Sequence, residues 1–372
     1  MKSPTTYTLT DQLQPGHNNF DLIRLCAALA VMFGHSFWLQ PAAGRTEPIL
    51  KYTGLEYSGS LAVYTFFLLS GVLVSASFDR QQSVARFIIL RLVRIYPALI
   101  VCSFLTAYLI YPIVSHVGFM QAITASDTWR YFSTNALQLF SAQGTLPGLF
   151  EAAPLKSAVN ASLWTLSMEL KCYMLVLVAG VIGCFKSKLR LIVFCTLTLT
   201  AFAYLVANGA SSPFFSSLTN KPTGYSFYAP PFFVLGMLLY TFRDYIRLSW
   251  PITIAMIFGY LVTRTSSYSV PLFYVAFVYI LLWISITRIL HYLAPRNDYS
   301  YGIYLWAFPI QQIIASQNPE LDNFFSLMIS IPATLLLAIA SWYLIEKPAI
   351  AFFRTRYRTR PVRSTANEFT KR

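Results

Sequence analysis

Apolar residues arrive along this chain in long unbroken runs, not in the alternating or helical stripes of half-buried strands and helices. Ten runs stand out, at approximately 20–39, 60–78, 91–112, 163–184, 189–207, 225–242, 249–263, 269–287, 300–316 and 324–344, separated by polar loops. About 20 apolar residues are needed to cross a hydrocarbon core ~30 Å thick. In that medium a helix satisfies its own backbone polar groups. The pattern predicts an all-α integral membrane protein with about ten transmembrane helices. It divides the chain into a segment over 1–19, a membrane domain over 20–345 and a basic tail over 346–372. The run at 249–263 is the shortest.

Composition agrees: 56% of residues are hydrophobic and 11% charged, where a soluble domain carries about 25% charged residues. A water-soluble globule is excluded. Disorder is excluded too, because 16% aromatic content with so few charges is the reverse of a solvated chain. The net charge of +14 raises nucleic acid as a partner, but the basic residues segregate with the loops. With alternate loops assigned to alternate sides, twenty of the 28 Lys and Arg fall on one side and six on the other, while Arg24 and Lys171 lie inside helices. By the positive-inside rule this predicts both termini in the cytoplasm and a membrane partner, not nucleic acid. Cys26, Cys102, Cys172, Cys184 and Cys195 lack CxxC spacing and read as packing residues. The polar start, Met1 to Asn19, precedes a run that carries Arg24 and no cleavage pattern, so no cleaved signal peptide is expected.

The loops predicted outside are long at roughly 40–59 and 113–162, and the second holds Trp129, Tyr131, Phe132 and Phe140. Two readings of it stand: a cap over a site, or a helix lying in the membrane interface. No internal repeat is evident, which weighs against an inverted-repeat transporter. Arg354, Arg356, Arg358, Arg360 and Arg363 read as an anchor on anionic lipid.

Ionisable side chains deep in a membrane cost ~2.5 to 3.5 kcal/mol and need a partner or a wet cavity. In the first run, Arg24 and His35 are eleven residues apart, close to three turns, so they share a face and differ in depth by ~16 Å. Glu169, in SLWTLSMEL, is predicted at the same depth as His35. A carboxylate beside an imidazole would set its tautomer and favour its protonated form, as a general base requires. An ion pair of Glu169 with Lys171 is disfavoured, because residues two apart face opposite sides of a helix. Arg91 and Arg94, in RLVRIYPAL, project together. They either follow the ordinary topogenic pattern or clamp a phosphate. In FFLLSGVL, Ser70 and Gly71 either allow close helix packing or present a polar contact to a cavity. Tyr301 and Tyr304 in SYGIYLW, Glu346 in YLIEKP, and Trp38, Trp129 and Trp164 near the predicted outer surface complete the set. Interfacial anchoring and sugar stacking are both open to the tryptophans.

Together, Arg-x10-His, FFLLSGVL, RLVRIYPAL, SLWTLSMEL, SYGIYLW and YLIEKP resemble, in order and spacing over nearly the whole chain, the acyltransferase-three family of bacterial membrane O-acyltransferases. The resemblance implies a ten-helix enzyme of the bacterial inner membrane. Such an enzyme moves an acyl group, most often acetyl, from cytoplasmic acyl-CoA to a hydroxyl of a lipid-linked or surface carbohydrate such as O-antigen, lipopolysaccharide or exopolysaccharide. It implies His35 as catalytic base with Glu169 as its partner, and Arg24, Arg91 and Arg94 on the phosphates of acetyl-CoA. Ser70 and Tyr301 are expected near the cofactor, either of them as an oxyanion donor, and Trp164 is expected near the sugar. No metal is implied, since His17, His35, His116 and His291 are scattered. The chain departs from the family at Ala307, where many members carry a second histidine, and at Lys171 and Cys172. The esterase-like domain of many relatives is also not expected, with 24 residues after Pro348. The rival reading is a proton-coupled permease with Arg24, His35 and Glu169 as a relay.

Overall fold

The computed structural model describes residues 7–13, 18–81, 83–115, 117–138, 142–208, 215, 218–219, 221 and 224–356. His17, His116, Phe140 and the tail arginines Arg358, Arg360 and Arg363 lie outside the described residues. Eleven helices organise the remainder. They are α1 (Phe20–Leu39), α2 (Ser58–Gln81), α3 (Val84–Leu105), α4 (Ser126–Leu137), α5 (Trp164–Val181), α6 (Lys188–Asn208), α7 (Pro230–Thr241), α8 (Trp250–Thr263), α9 (Ser269–Ile284), α10 (Ser300–Gln317) and α11 (Asn323–Ser341).

Each predicted run coincides with a helix. Among the described residues, however, six are long and apolar enough to cross a membrane: Phe20–Leu39, Ser58–Gln81, Val84–Val114, Ala161–Val181, Lys188–Asn208 and Asn323–Thr355. Helices α7, α8 and α9 are apolar but shorter. The chain is a multi-pass membrane protein. Its outer helices are apolar on every side, as helices in lipid are: on α6, Cys195 and Phe202 are buried while Leu197 and Tyr204 face outward.

Polar side chains fix several helix starts. Ser83 accepts from the Arg86 N–H at the head of α3, and Asp322 accepts from the Phe324 N–H at the head of α11 at 2.8 Å. Two short strands, β1 (Tyr7–Thr8) and β2 (Arg247–Leu248), pair antiparallel and tie the chain's start to the α7–α8 connection.

The core forms where α2 meets α7 and where α10 meets α1 and α11. At the first contact two glycines face each other. A Cβ on Gly71 would lie 2.1 Å from the Phe233 carbonyl oxygen, and one on Gly236 would lie 2.3 Å from that of Leu68. The backbones touch, so of the two readings of Gly71 the packing one holds.

Contacts define two poles. At one, the start of α1, the start of α10 and the far end of α11 meet through Arg24, Asp298, Arg94 and Glu346. At the opposite pole, Gln40 after α1 donates to the Asn318 carbonyl after α10, and Asn323 on α11 donates to Ser36 on α1. The 40–59 stretch carries a short helix over Pro48–Thr53. It is fastened by Glu56, which is fully buried and accepts from Tyr64, Tyr274 and the Ser226 N–H at 3.0, 2.5 and 3.2 Å.

The described residues of the 113–162 stretch are folded. Its helix α4 buries Tyr131 and Asn135 and exposes Trp129, and Leu146, Leu149 and Phe150 pack with Tyr111 into a separate apolar cluster. Glu346, expected just past the last helix, lies within it. A π turn over Trp342–Glu346 carries α11 on into a further helix over Lys347–Arg356; Pro348, which has no N–H to give to the ladder, stands at the second residue of that helix, where a proline is tolerated. The cysteines are free; Cys102, Cys172, Cys184 and Cys195 are buried and Cys26 is exposed.

Candidate active site

A cavity of about 130 Å³ opens among α1, α2, α3, α5 and α10. Its lining includes Arg24, Arg91, Arg94, Ser70, Glu169 and Tyr301. Six candidates from five separate motifs thus converge on one space. Its volume is close to the ~150 Å³ of an apolar cavity that admits benzene, room for a small group and too little for a nucleotide.

The three arginines have different environments. Arg24 on α1 lies 3.1 Å from Asp21, one turn back, and 3.0 Å from Asp298. Arg94 on α3 lies 2.5 Å from Asp298 and 3.6 Å from Glu346. Asp298 therefore bridges two cations with one oxygen, while its other oxygen accepts from the N–H and hydroxyl of Ser300 at 3.2 and 2.5 Å, capping α10. Burial raises the Asp298 carboxyl, but Arg94, then Arg24, and the Ser300 hydrogen bonds outweigh it and hold it at about 2. Arg91 has no carboxylate within ion-pair distance among the described residues. Its buried Nε has no hydrogen-bond partner among them, and its guanidinium stands 5.8 Å from the Tyr173 ring centre and 6.0 Å from that of Phe87. Arg91 is thus a cation at a cavity wall, held by aromatic faces.

Glu169 does not meet His35. Its Oε1 accepts from Ser70 at 3.2 Å and from the Tyr173 hydroxyl one turn along α5. Sequence depth matched the carboxylate to the imidazole; depth does not determine which way a helix is rotated, and α5 turns Glu169 toward α2. The two hydroxyls considered as oxyanion donors are also engaged. Ser70 donates to Glu169, and Tyr301 donates to the Ile95 carbonyl at 2.8 Å.

His35 lies outside the cavity lining. The residue is partly exposed; its ring packs edge-on to Phe308 of α10, centroids 5.2 Å apart, and its buried Nδ1 has no hydrogen-bond partner among the described residues. Phe308 is four residues from Tyr304, which lines the cavity. Tyr304 and Phe308 are thus one turn apart on α10, ~6 Å of helical rise. Arg24 and His35 share α1 but not one lined space. Trp164 is partly buried, with Tyr225 packed against it at 5.6 Å, while Trp38 and Trp129 are exposed. Ala307 is buried among Ala28, Met32 and Ile303, where α10 packs on α1.

Sequence reasoning missed Asp298, Tyr173 and Thr165. Thr165 shares a 2.5 Å hydrogen bond with Tyr304, which also donates to the Ser162 carbonyl at 2.7 Å. Asp298 carried a signal, an Asp two residues ahead of a serine at a helix start. Tyr173 carried only its i,i+4 spacing from Glu169.

The bundle gathers arginines, a carboxylate and hydroxyls into one cavity. Residues 17–346 match the acyltransferase-3 family, described as an acyltransferase domain, and the chain belongs to that family. It is 31% identical over 350 residues, 89% of this chain and 95% of the relative, to a protein of Shigella phage Sf6 named O-acetyl transferase. It is 28% identical over 364 residues, 90% of this chain and 94% of the relative, to Nodulation protein 10 of Rhizobium leguminosarum bv. viciae. No solved structure matches.

Proposed function

We propose that this protein is an inner-membrane O-acetyltransferase that crosses the membrane ten times with both termini in the cytoplasm. It takes an acetyl group from cytoplasmic acetyl-CoA and passes it to a hydroxyl of a lipid-linked or surface carbohydrate. The observation that carries this reading is Arg91, a cavity-wall guanidinium without a carboxylate partner among the described residues, beside two arginines already neutralised by Asp298 and Glu346. A phosphate-bearing carrier supplies the missing anion at Arg91, and its narrow thioester arm would run on from the cavity toward His35. The name of the phage relative supports acetyl as the group and oxygen as its destination.

In this scheme the acceptor hydroxyl attacks the thioester carbonyl carbon while His35 Nε2 takes the hydroxyl proton. The carbon–sulfur bond then breaks, and the departing thiolate of coenzyme A leaves with a proton. Glu169, engaged with Ser70 and Tyr173, shapes the cavity wall and is not the partner of His35.

The test uses radiolabelled acetyl-CoA supplied to the cytoplasmic side of membrane vesicles that carry acceptor glycan. Wild-type protein should leave an ester on the glycan, and His35→Ala should abolish it with the protein still inserted. Full ester formation by His35→Ala would remove the base from the scheme.

A further inference from the structure

Two buried polar atoms at the interface of α1 and α10 lack partners among the described residues: Nδ1 of His35 and Oε1 of Gln311. Gln311 is 1% exposed. Its Nε2 donates to the Met32 carbonyl at 2.9 Å, so its amide lies against α1 one turn before His35. One turn back along α10, Phe308 packs on the His35 ring. The two helices therefore meet through paired residues, each pair three apart and on one face.

The unpartnered atoms are complementary in chemistry. An amide oxygen only accepts, and a neutral imidazole protonated at Nδ1 donates there and keeps its lone pair at Nε2. Which ring nitrogen acts as base is set by the hydrogen bond the other makes. A buried amide oxygen without a donor is costly, as is a buried ring nitrogen without an acceptor; one contact removes both penalties. Neighbouring bonds hold the same turn, since Asn323 reaches Ser36 and Gln312 donates to the Leu155 and Ala158 carbonyls at 2.7 and 2.8 Å.

We propose that Gln311 is the positioning residue of His35: Nε2 anchors the Met32 carbonyl, and Oε1 accepts the Nδ1 proton in the working tautomer, leaving Nε2 of His35 to receive the acceptor's proton. This rests on His35 being the base. Gln311 replaces the carboxylate that depth had assigned to this task, and its neutral amide sets the tautomer without adding a charge to the membrane interior.

The test compares Gln311→Met, which keeps length and loses both polar atoms, with Gln311→Glu, which keeps the acceptor and loses the donor. In acetyl transfer from acetyl-CoA, Gln311→Met should lower kcat about tenfold or more with the donor KM within about twofold, the signature of a lost transition-state contribution. Gln311→Glu should return kcat to within about threefold of wild type, because a carboxylate accepts from Nδ1 at least as well as an amide. A purely structural role predicts the reverse order, since the carboxylate would face the Met32 carbonyl. Gln311→Met at wild-type kcat, or Gln311→Glu no better than Gln311→Met, overturns the proposal. If Gln311→Met does not accumulate in membranes, Gln311→Glu decides alone, with a tenfold loss as the overturning result. His35→Ala is assayed in parallel. Activity there ends the base assignment, whereas a dead His35→Ala beside a fully active Gln311→Met ends only the role of Gln311.

Discussion

Arg91 and Arg94 stand one turn apart on α3, yet their charges are differently committed. Arg94 faces Asp298 and Glu346, while Arg91 rests on aromatic rings. Spacing in RLVRIYPAL predicted that both project together, and both line the cavity; no spacing rule predicted that a carboxylate from the start of α10 neutralises one of them. Arg91→Ala should therefore raise the KM for acetyl-CoA about tenfold to a hundredfold, the weight of one or two hydrogen bonds to a charged group, with kcat little changed. Steady-state kinetics at varied donor decides it, and an unchanged KM removes Arg91 from the donor site. Asp298 gives a prediction in pH. Its carboxyl is held at about 2 against an ordinary 3.8, so its stabilisation is present above about pH 4 and is lost as pH falls through about 2. The shift corresponds to roughly 2 kcal/mol for this largely buried side chain. Asp298→Asn should unfold at a lower temperature near neutral pH and lose part of its acid sensitivity between about pH 4 and 2. Identical melting curves would show that the bridge carries no net stability.

Among the elements, α10 links the charged pole to the turn that bears His35. Its head is capped by Asp298, Tyr301 and Tyr304 line the cavity, and Phe308 and Gln311 hold the His35 turn. The run SYGIYLWAFPIQQ announced a helix, and its tyrosines drew notice; the glutamines did not, because a buried amide in an apolar helix has no periodicity to betray it. The α2–α7 contact was half legible. Gly71 in FFLLSGVL signalled close approach, but its partner Gly236 stands 165 positions along the chain and could be matched only in three dimensions. Gly71→Ala should push the two helices apart, because its Cβ would collide with the Phe233 carbonyl, and cost about 1–3 kcal/mol. Thermal unfolding in detergent reports this. A melting temperature equal to wild type would mean that the backbones can move apart freely.

For the whole molecule, the lopsided distribution of Lys and Arg implies an orientation that contacts within the protein cannot supply. Single cysteines at Lys156 and Lys188, in a cysteine-free background, should react with impermeant maleimide from opposite faces of the membrane, with position 188 reached only in inverted vesicles. Labelling of both from one side would undo the ten-span topology. With position 188 on the inner side, the arginine pole would lie at the cytoplasmic face, where a charged carrier meets it without crossing lipid.

The chain by itself determined that this is a multi-pass helical membrane protein, where its helices lie, and which residues are too polar for lipid to be idle. Hydropathy and helical period are properties of neighbours in sequence, and they are readable there. Only the tertiary structure decided the partners. It gave Glu169 to Ser70 and Tyr173, Asp298 to two arginines, and Gln311 to the turn that bears His35. Those pairings depend on how each helix is rotated about its axis and which helix stands beside it, and packing across long sequence separations sets both.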